Sequence, residues 1–221
     1  MNLWIKICAN TSLADAMIAA EAGADAVGFV FAPSPRRVTA EQVAAIVPYL
    51  PAKLEKIGVF VDASVDEIAA TVEAAGLTGV QLHWDFPPEL PATLRARFGP
   101  RLKILGVLHF DSATGVDVTL TFNSDVDATL VDSRTEVAVG GTGKSYDWAE
   151  ARRVLLGRAE NLKLIAKLIA AGGLTPGNVA EAISILHPWG VDVVSGVEVA
   201  PGRKDSAKVR AFIENARAAR K

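Results

Sequence analysis

Apolar runs in this sequence stop repeatedly at side chains that can do chemistry: at Cys8, in the Ser34/Arg36 loop, at His83, at Asp132 and at Ser195. Thiol, imidazole and carboxylate are the groups that move protons in acid–base catalysis. Each also has a plainer reading: a lone cysteine closing a strand serves as a small buried hydrophobe, Asp132-Ser133 can begin a turn, and Arg36 can be a solvated loop charge. Gly172-Gly173 and Ser195-Gly196 follow the last two apolar runs. At that point a barrel builds a phosphate site from backbone N–H groups, although paired glycines also make tight turns. The two pairs together suggest a phosphorylated small-molecule substrate. Gly140-Gly141-Thr142-Gly143-Lys144-Ser145 invites a nucleotide reading, but a Walker loop needs a glycine where Ala138 stands. A glycine-rich active-site lid, with Lys144 meeting an anionic group, is the better account.

The elements that must position these groups are short runs rich in Val, Ile and Phe, alternating with longer segments of helical period. That pattern implies βαβ units and a parallel sheet. Eight runs stand out: Trp4 to Cys8, Ala26 to Phe31, Lys56 to Val61, Gly79 to His83, Leu102 to Leu108, Ala128 to Asp132, Leu168 to Ala171 and Val191 to Ser195. Leu162 to Leu168 fits a sixth helix, the seventh strand or both. Ser12 with Asp15, Thr39 with Gln42 and Ser64 with Glu67 read as helix starts, and Thr175-Pro176 as a cap followed by proline at the first helical position. A last amphipathic helix runs from about Ala207 to Ala219, with Val209, Phe212, Ile213 and Ala216 on one stripe. Eight β–α alternations with no linker fit one α/β domain, a single (β/α)8 TIM barrel over residues 1–221. A doubly wound dinucleotide fold would carry a glycine fingerprint after its first strand, where Cys8-Ala9-Asn10-Thr11 stands.

The 221 residues, half of them hydrophobic and 22% charged, exclude a disordered or collagen-like chain. With 23 Lys plus Arg against 25 Asp plus Glu, the net charge of −2 argues against a nucleic-acid or membrane partner, so an anionic ligand must be met locally. One cysteine and three dispersed histidines cannot build a structural zinc site or an internal disulfide, and the expected setting is reducing and cytoplasmic. The N-terminus carries no export pattern, and no window reaches the ~18 apolar residues of a membrane helix.

These motifs resemble the phosphoribosylanthranilate isomerase family, cofactor-independent barrel enzymes of tryptophan biosynthesis. The resemblance spans almost the whole chain. It rests on Lys6-Ile7-Cys8, Gly23 to Phe31, Ser34-Pro35-Arg36, Gly58-Val59-Phe60-Val61, Val80-Gln81-Leu82-His83, Asp132-Ser133, Gly140 to Lys144, Ala171-Gly172-Gly173-Leu174, Val191-Asp192-Val193 and Ser195-Gly196-Val197-Glu198. It implies an Amadori rearrangement of N-(5-phosphoribosyl)anthranilate to 1-(2-carboxyphenylamino)-1-deoxyribulose 5-phosphate, with neither metal nor cofactor. Asp132 then matches the acid that protonates the furanose oxygen, and Cys8 the base that takes the C2 proton. Arg36 matches the arginine that holds the anthranilate carboxylate in two parallel hydrogen bonds. His83 and Asp192 fall at motif positions facing the barrel mouth, and Gly172, Gly173, Ser195 and Gly196 at the phosphate loops. A monomer or a homodimer is expected. The family pattern differs at Ala9, where glycine is usual, at Trp84-Asp85, where a glycine–acid pair is usual, and at Val194, where a second serine is common. Trp84 is expected to pack over the rim, against either the anthranilate ring or a neighbouring element. Another sugar-phosphate isomerase or epimerase, or a catalytically silent phosphate-binding barrel, stays open.

Acid–base roles require shifted proton affinities, because a free Asp near 3.9 is ionised and a free Cys near 8.5 is protonated at neutral pH. Burial raises a carboxyl, whereas a neighbouring cation lowers a thiol. Lys6 lies two residues before Cys8, on the same side of the strand, and is the expected cation.

Overall fold

A computed structural model describes residues 3–82, 86–111, 115–116, 125–133, 146–156 and 167–220. Its eight barrel strands are β1 (Trp4–Ile7), β2 (Ala26–Val30), β3 (Glu55–Phe60), β4 (Gly79–Leu82), β5 (Lys103–Asp111), β6 (Ala128–Ser133), β7 (Leu168–Ala170) and β8 (Gly190–Val193). They pair in parallel in the order β4-β3-β2-β1-β8-β7-β6-β5, and a parallel β4–β5 ladder from Gly79↔Lys103 to Leu82↔Gly106 closes the ring. Gly115–Val116 turns back antiparallel on the end of β5. The helices are α1 (Leu13–Glu21), α2 (Ala40–Ile46), α3 (Val65–Ala75), α4 (Leu90–Phe98), α5 (Trp148–Leu156), α6 (Val179–Leu186) and α7 (Ser206–Ala219). A hairpin of β9 (Glu198–Ala200) and β10 (Arg203–Lys204) follows β8. No helix among the described residues is long and apolar enough to cross a membrane.

The helix starts are built from the expected residues. Ser12 accepts from the Asp15 N–H, and Thr39/Gln42 and Ser64/Glu67 close reciprocal capping boxes. Each inward stripe then docks on the sheet, as Val209, Phe212, Ile213 and Ala216 of α7 do, all buried. Strand parity sorts the rest of the core. Trp4, Ala26, Ile57, Leu105, Val107, Ala128, Leu130, Ile169 and Ala171 fill the barrel interior as one cluster, while their neighbours in sequence, such as Ile5, Val27, Ile104, Val131 and Leu168, pack outward against the helices.

Three expectations shift. Strand five runs three residues past Leu108, to Asp111, because Phe110 still pairs across to β6. The eighth strand ends at Val193, short of Ser195, where the backbone enters a 3-10 turn over Ser195–Val197. The helix expected from Thr175-Pro176, α6, begins at Val179. Asn178 takes the Thr175 N–H on Oδ1 (2.7 Å) and donates to the Gly173 carbonyl (3.0 Å), which bends residues 175–178 into a turn before the helix starts. Residues 162–166, read as helix or strand, lie outside the described residues, and β7 starts at Leu168.

Candidate active site

Interior parity continues up each strand from the apolar cluster and changes character near the carboxyl ends. On β1 the series Trp4, Lys6, Cys8 faces inward, and Gly28 on β2 makes room for it. A Cβ on Gly28 would stand 2.4 Å from the Cys8 sulfur and 3.0 Å from Lys6 Cε. Lys6 is fully buried and donates to Gln81 Oε1 on β4 (2.6 Å) and to Asp192 Oδ2 on β8 (2.8 Å), so one ammonium ties three strands together inside the barrel. Burial alone would lower the Lys6 ammonium, but Asp192 and the neighbouring Cys8 outweigh it and hold its pKa above the usual lysine value.

Cys8 follows β1, buried, with its N–H on the Val193 carbonyl (2.9 Å). The next residue, Ala9, has φ +60°, a left-handed backbone that glycine adopts without strain. Asn10 holds this turn closed, its backbone N–H on Gly28 O (2.9 Å) and its side chain on Ile7 O (2.8 Å) and Gly28 O (3.1 Å). Burial pushes the Cys8 thiol up, Lys6 pulls it down, Asp192 pushes it up again and Lys204 pulls it down; the sum is upward. The expected lowering by Lys6 is therefore present but does not win. A fully buried thiolate loses its hydration, and Asp192 already claims much of the Lys6 charge.

Asp132 lies on β6 in register with His109 on β5, and the alternation through Leu105, Val107 and Ala128, Leu130 turns both side chains inward. Tyr146 stands near Asp132. Burial, with the Asp132 charge, pushes its phenol well above the usual range, and its ring lies 5.3 Å from Phe110. His109 was missed because the sequence reading ended the fifth strand at Leu108; a period-two count carried one residue further would have found it.

Arg36 sits in the β2–α2 loop, with its N–H on Ser34 Oγ (3.1 Å). Its Nε donates to both oxygens of Glu198 (3.0 and 3.1 Å) and Nη2 donates to Oε2 (2.8 Å). Glu198 Oε1 also accepts from the Gly202 N–H (3.1 Å) and from Lys204 Nζ (3.2 Å). Burial would raise the Glu198 carboxyl, but Arg36 and Lys204 hold it below the usual carboxylate range. Burial lowers the Lys204 ammonium, partly offset by Glu198 and Cys8. Neither residue was singled out from sequence, although Glu198 closes a quoted motif: the Arg36 that Glu198 meets lies in a different loop, and the hairpin that brings Lys204 to Glu198 has no sequence signal of its own.

The two glycine turns interlock. Gly172 and Gly173 have φ +77° and +66°, and a Cβ on Gly196 would lie 2.0 Å from the Leu174 carbonyl oxygen. The loops after β7 and β8 are thus in backbone contact, with Ser195 opening the second. His83, Trp84, Asp85 and the Gly140–Ser145 segment with Lys144 lie outside the described residues. Among the described residues no group of three His, Cys, Asp or Glu could hold a metal ion.

A closed (β/α)8 barrel whose carboxyl rim gathers proton-moving groups, an oriented guanidinium and paired glycine turns is built as an enzyme for a small anionic substrate. The family model for N-(5'-phosphoribosyl)anthranilate (PRA) isomerase matches residues 5–215, and the chain belongs to that isomerase family. A relative from Pelobacter propionicus named N-(5'-phosphoribosyl)anthranilate isomerase is 41% identical over 217 residues, covering 98% of this chain and 96% of the relative. One of the same name from Geobacter metallireducens is 40% identical, covering 97% and 98%. A solved phosphoribosyl anthranilate isomerase from Thermotoga maritima matches with TM-score 0.80 at 32% identity over 98% of this chain and 99% of that one. A solved member of the family in complex with reduced 1-(o-carboxyphenylamino)-1-deoxyribulose 5-phosphate matches with TM-score 0.77 at 31% identity over the same shares.

Proposed function

We propose that this chain isomerises N-(5-phosphoribosyl)anthranilate to 1-(2-carboxyphenylamino)-1-deoxyribulose 5-phosphate, in the cytoplasmic synthesis of tryptophan, as a single barrel acting as a monomer or homodimer. The observation that carries the reading is the strand parity that turns Cys8 and Asp132 inward at the same end of the barrel, from β1 and β6. Asp132 gives its proton to the furanose ring oxygen as the C1–O bond breaks, which opens the ring and leaves an iminium between C1 and the anthranilate nitrogen. Cys8 takes the C2 proton, the electron pair moves to the iminium, and the resulting enaminol becomes the amino ketone by taking a proton at C1 and losing one from the C2 hydroxyl. The order of these steps suits the electrostatics. Burial keeps the Cys8 thiol protonated, so it acts as base only after losing that proton to solvent, and the cationic iminium formed in the first step stabilises the thiolate that then takes the C2 proton. No cofactor is needed, because the iminium is the electron sink.

Substrate binding divides along the same rim. Arg36 takes the anthranilate carboxylate, the backbone around Gly172, Gly173, Ser195 and Gly196 takes the phosphate, and His83 and Asp192 complete the pocket. The test is the loss of anthranilate-adduct fluorescence with substrate formed in place. Steady loss is expected, with inorganic phosphate competing. Turnover of other phosphosugars in a panel without turnover of this adduct would replace the reading with another isomerase or epimerase, and binding without any turnover would make the barrel silent.

A further inference from the structure

An arginine presents two edges on which a carboxylate can take two parallel hydrogen bonds, one formed by Nε and Nη2 and the other by Nη1 and Nη2. Glu198 occupies the first edge of Arg36. Nη1 has no partner among the described residues, so the second edge is the one left to a ligand. Glu198 is itself fixed from two directions, because Oε1 accepts from the Gly202 N–H and from the buried Lys204 ammonium. The β9–β10 hairpin that carries these donors is tied to the segment after β1. Thr11 Oγ1 donates to the Gly202 carbonyl (2.6 Å), and the Lys204 N–H donates to Asp15 Oδ1 (2.8 Å). The orientation of a guanidinium on the β2–α2 loop is therefore set by a hairpin after β8, and both are referred to the loop that carries Cys8.

We propose that Glu198 is a positioning residue that aims the free edge of Arg36 and so sets the preference of the site for a ligand bearing an aromatic ortho-carboxylate. The inference rests on the reading of Arg36 given above. A long side chain free to rotate would have to be ordered by each incoming ligand, whereas Glu198 orders it beforehand. The advantage is confined to the carboxylate. A ligand with the same pentose phosphate and an unsubstituted phenylamino group gains nothing from it.

Two stable ligands separate this role from a merely structural one: 1-(2-carboxyphenylamino)-1-deoxypentitol 5-phosphate and its phenylamino counterpart without the carboxyl, with both dissociation constants measured by calorimetry. The wild-type protein is expected to prefer the first by on the order of 100-fold, the scale of a buried charge-assisted pair. Arg36→Ala should bring that ratio close to one. Glu198→Gln should cut it roughly tenfold, as small misplacements do, while binding of the carboxyl-free ligand stays within about twofold of wild type. Glu198→Asp keeps a negative charge beside Lys204 but withdraws it by one methylene, and should lower the ratio as Glu198→Gln does. An unchanged ratio in Glu198→Gln, equal weakening of both ligands, or a wild-type ratio in Glu198→Asp overturns the inference while leaving the role of Arg36 standing. A ratio that survives Arg36→Ala overturns that role, and with it the inference.

Discussion

At the amino ends of the barrel strands, polar groups are spent on one another. Trp4 and Trp189 stack with ring centroids 5.3 Å apart, Lys103 Nζ lies 5.2 and 5.5 Å from their centroids, and Glu55 accepts from Trp4 Nε1 (3.0 Å) and pairs with Lys103. Asp25 and Asp127 each take the N–H of a strand residue, Ile5 (2.8 Å) and Ile104 (2.7 Å), on an oxygen that also pairs with an arginine. The carboxyl end differs. Ala9 is held left-handed, and Asn10 Oδ1 and Asp192 Oδ1 are buried without a partner among the described residues. The amino end is saturated, and the carboxyl end, where the candidate site lies, keeps strain and unspent hydrogen-bonding capacity. Substitutions at the two ends should therefore fail in different currencies.

The largest effect is expected from Cys8→Ala and Asp132→Asn. Loss of a positioned acid or base costs ~10²–10⁴-fold in rate, so each kcat should fall by at least that order while thermal unfolding stays within a few degrees of wild type. A kcat near wild type in either variant would remove that residue from the chemistry.

Next is Lys6→Met, which leaves Asp192 buried and charged without its ammonium and should cost ~3–5 kcal/mol of stability. The double variant Lys6→Met/Asp192→Leu should recover most of that stability and still be a poor enzyme, because Cys8 has lost the nearest cation. Alkylation by iodoacetamide reports the thiol directly. The Cys8 proton is held above the ordinary thiol value, so the stability associated with this group is present below about pH 8.5 and lost as pH rises through the folded value. Alkylation should be slow at neutral pH, accelerate only above the ordinary thiol range of about 8.5, and need a still higher pH in the double variant. Fast labelling at pH 7 in the wild-type protein would contradict this balance.

On the saturated end, Asp127→Asn weakens the Arg95 pair and the bond to the Ile104 N–H. With both side chains partly exposed, a loss of ~1–2 kcal/mol is expected, about 2–8 °C in the unfolding midpoint. At a temperature where the variant is folded, kcat and KM should match wild type. A tenfold change in either would show that the two ends are not independent.

The same contrast explains what could be read from sequence. Helix starts and the barrel wall follow local rules: capping pairs sit three residues apart, and strand and helix periods differ, so Ser64 with Glu67 or the Val209–Ala216 stripe can be recognised without tertiary knowledge. Cys8, Asp132 and Arg36 could be singled out as candidates because they end apolar runs or fall in family motifs. Glu198 and Gln81 could not, since each acts through a residue brought near by ring closure; Lys6 meets Gln81 across 75 positions. Lys204 pairs with Glu198 inside one hairpin that no period or motif in the sequence marks. The net direction of the Cys8 shift was also out of reach, because two residues of spacing reveal a nearby cation but not the burial and the Asp192 charge that oppose it.

The smallest effect concerns Ala9→Gly, at the hinge between the saturated wall and the strained rim. A left-handed alanine costs ~1–2 kcal/mol relative to its preferred backbone, and glycine at φ +60° removes that cost. Against this stands the larger unfolded-state entropy of glycine, ~0.4–1 kcal/mol, together with the loss of a methyl that is only 1% exposed. The balance favours glycine by less than about 1 kcal/mol, a rise of ~1–3 °C in the unfolding midpoint. Because Asn10 fixes the turn through Ile7 O and Gly28 O whichever residue stands at position 9, KM should not change. A fall of several degrees would show that the buried methyl contributes more than the strain removes. Ala9 would then belong with the packed wall, and the strained rim would begin beyond it.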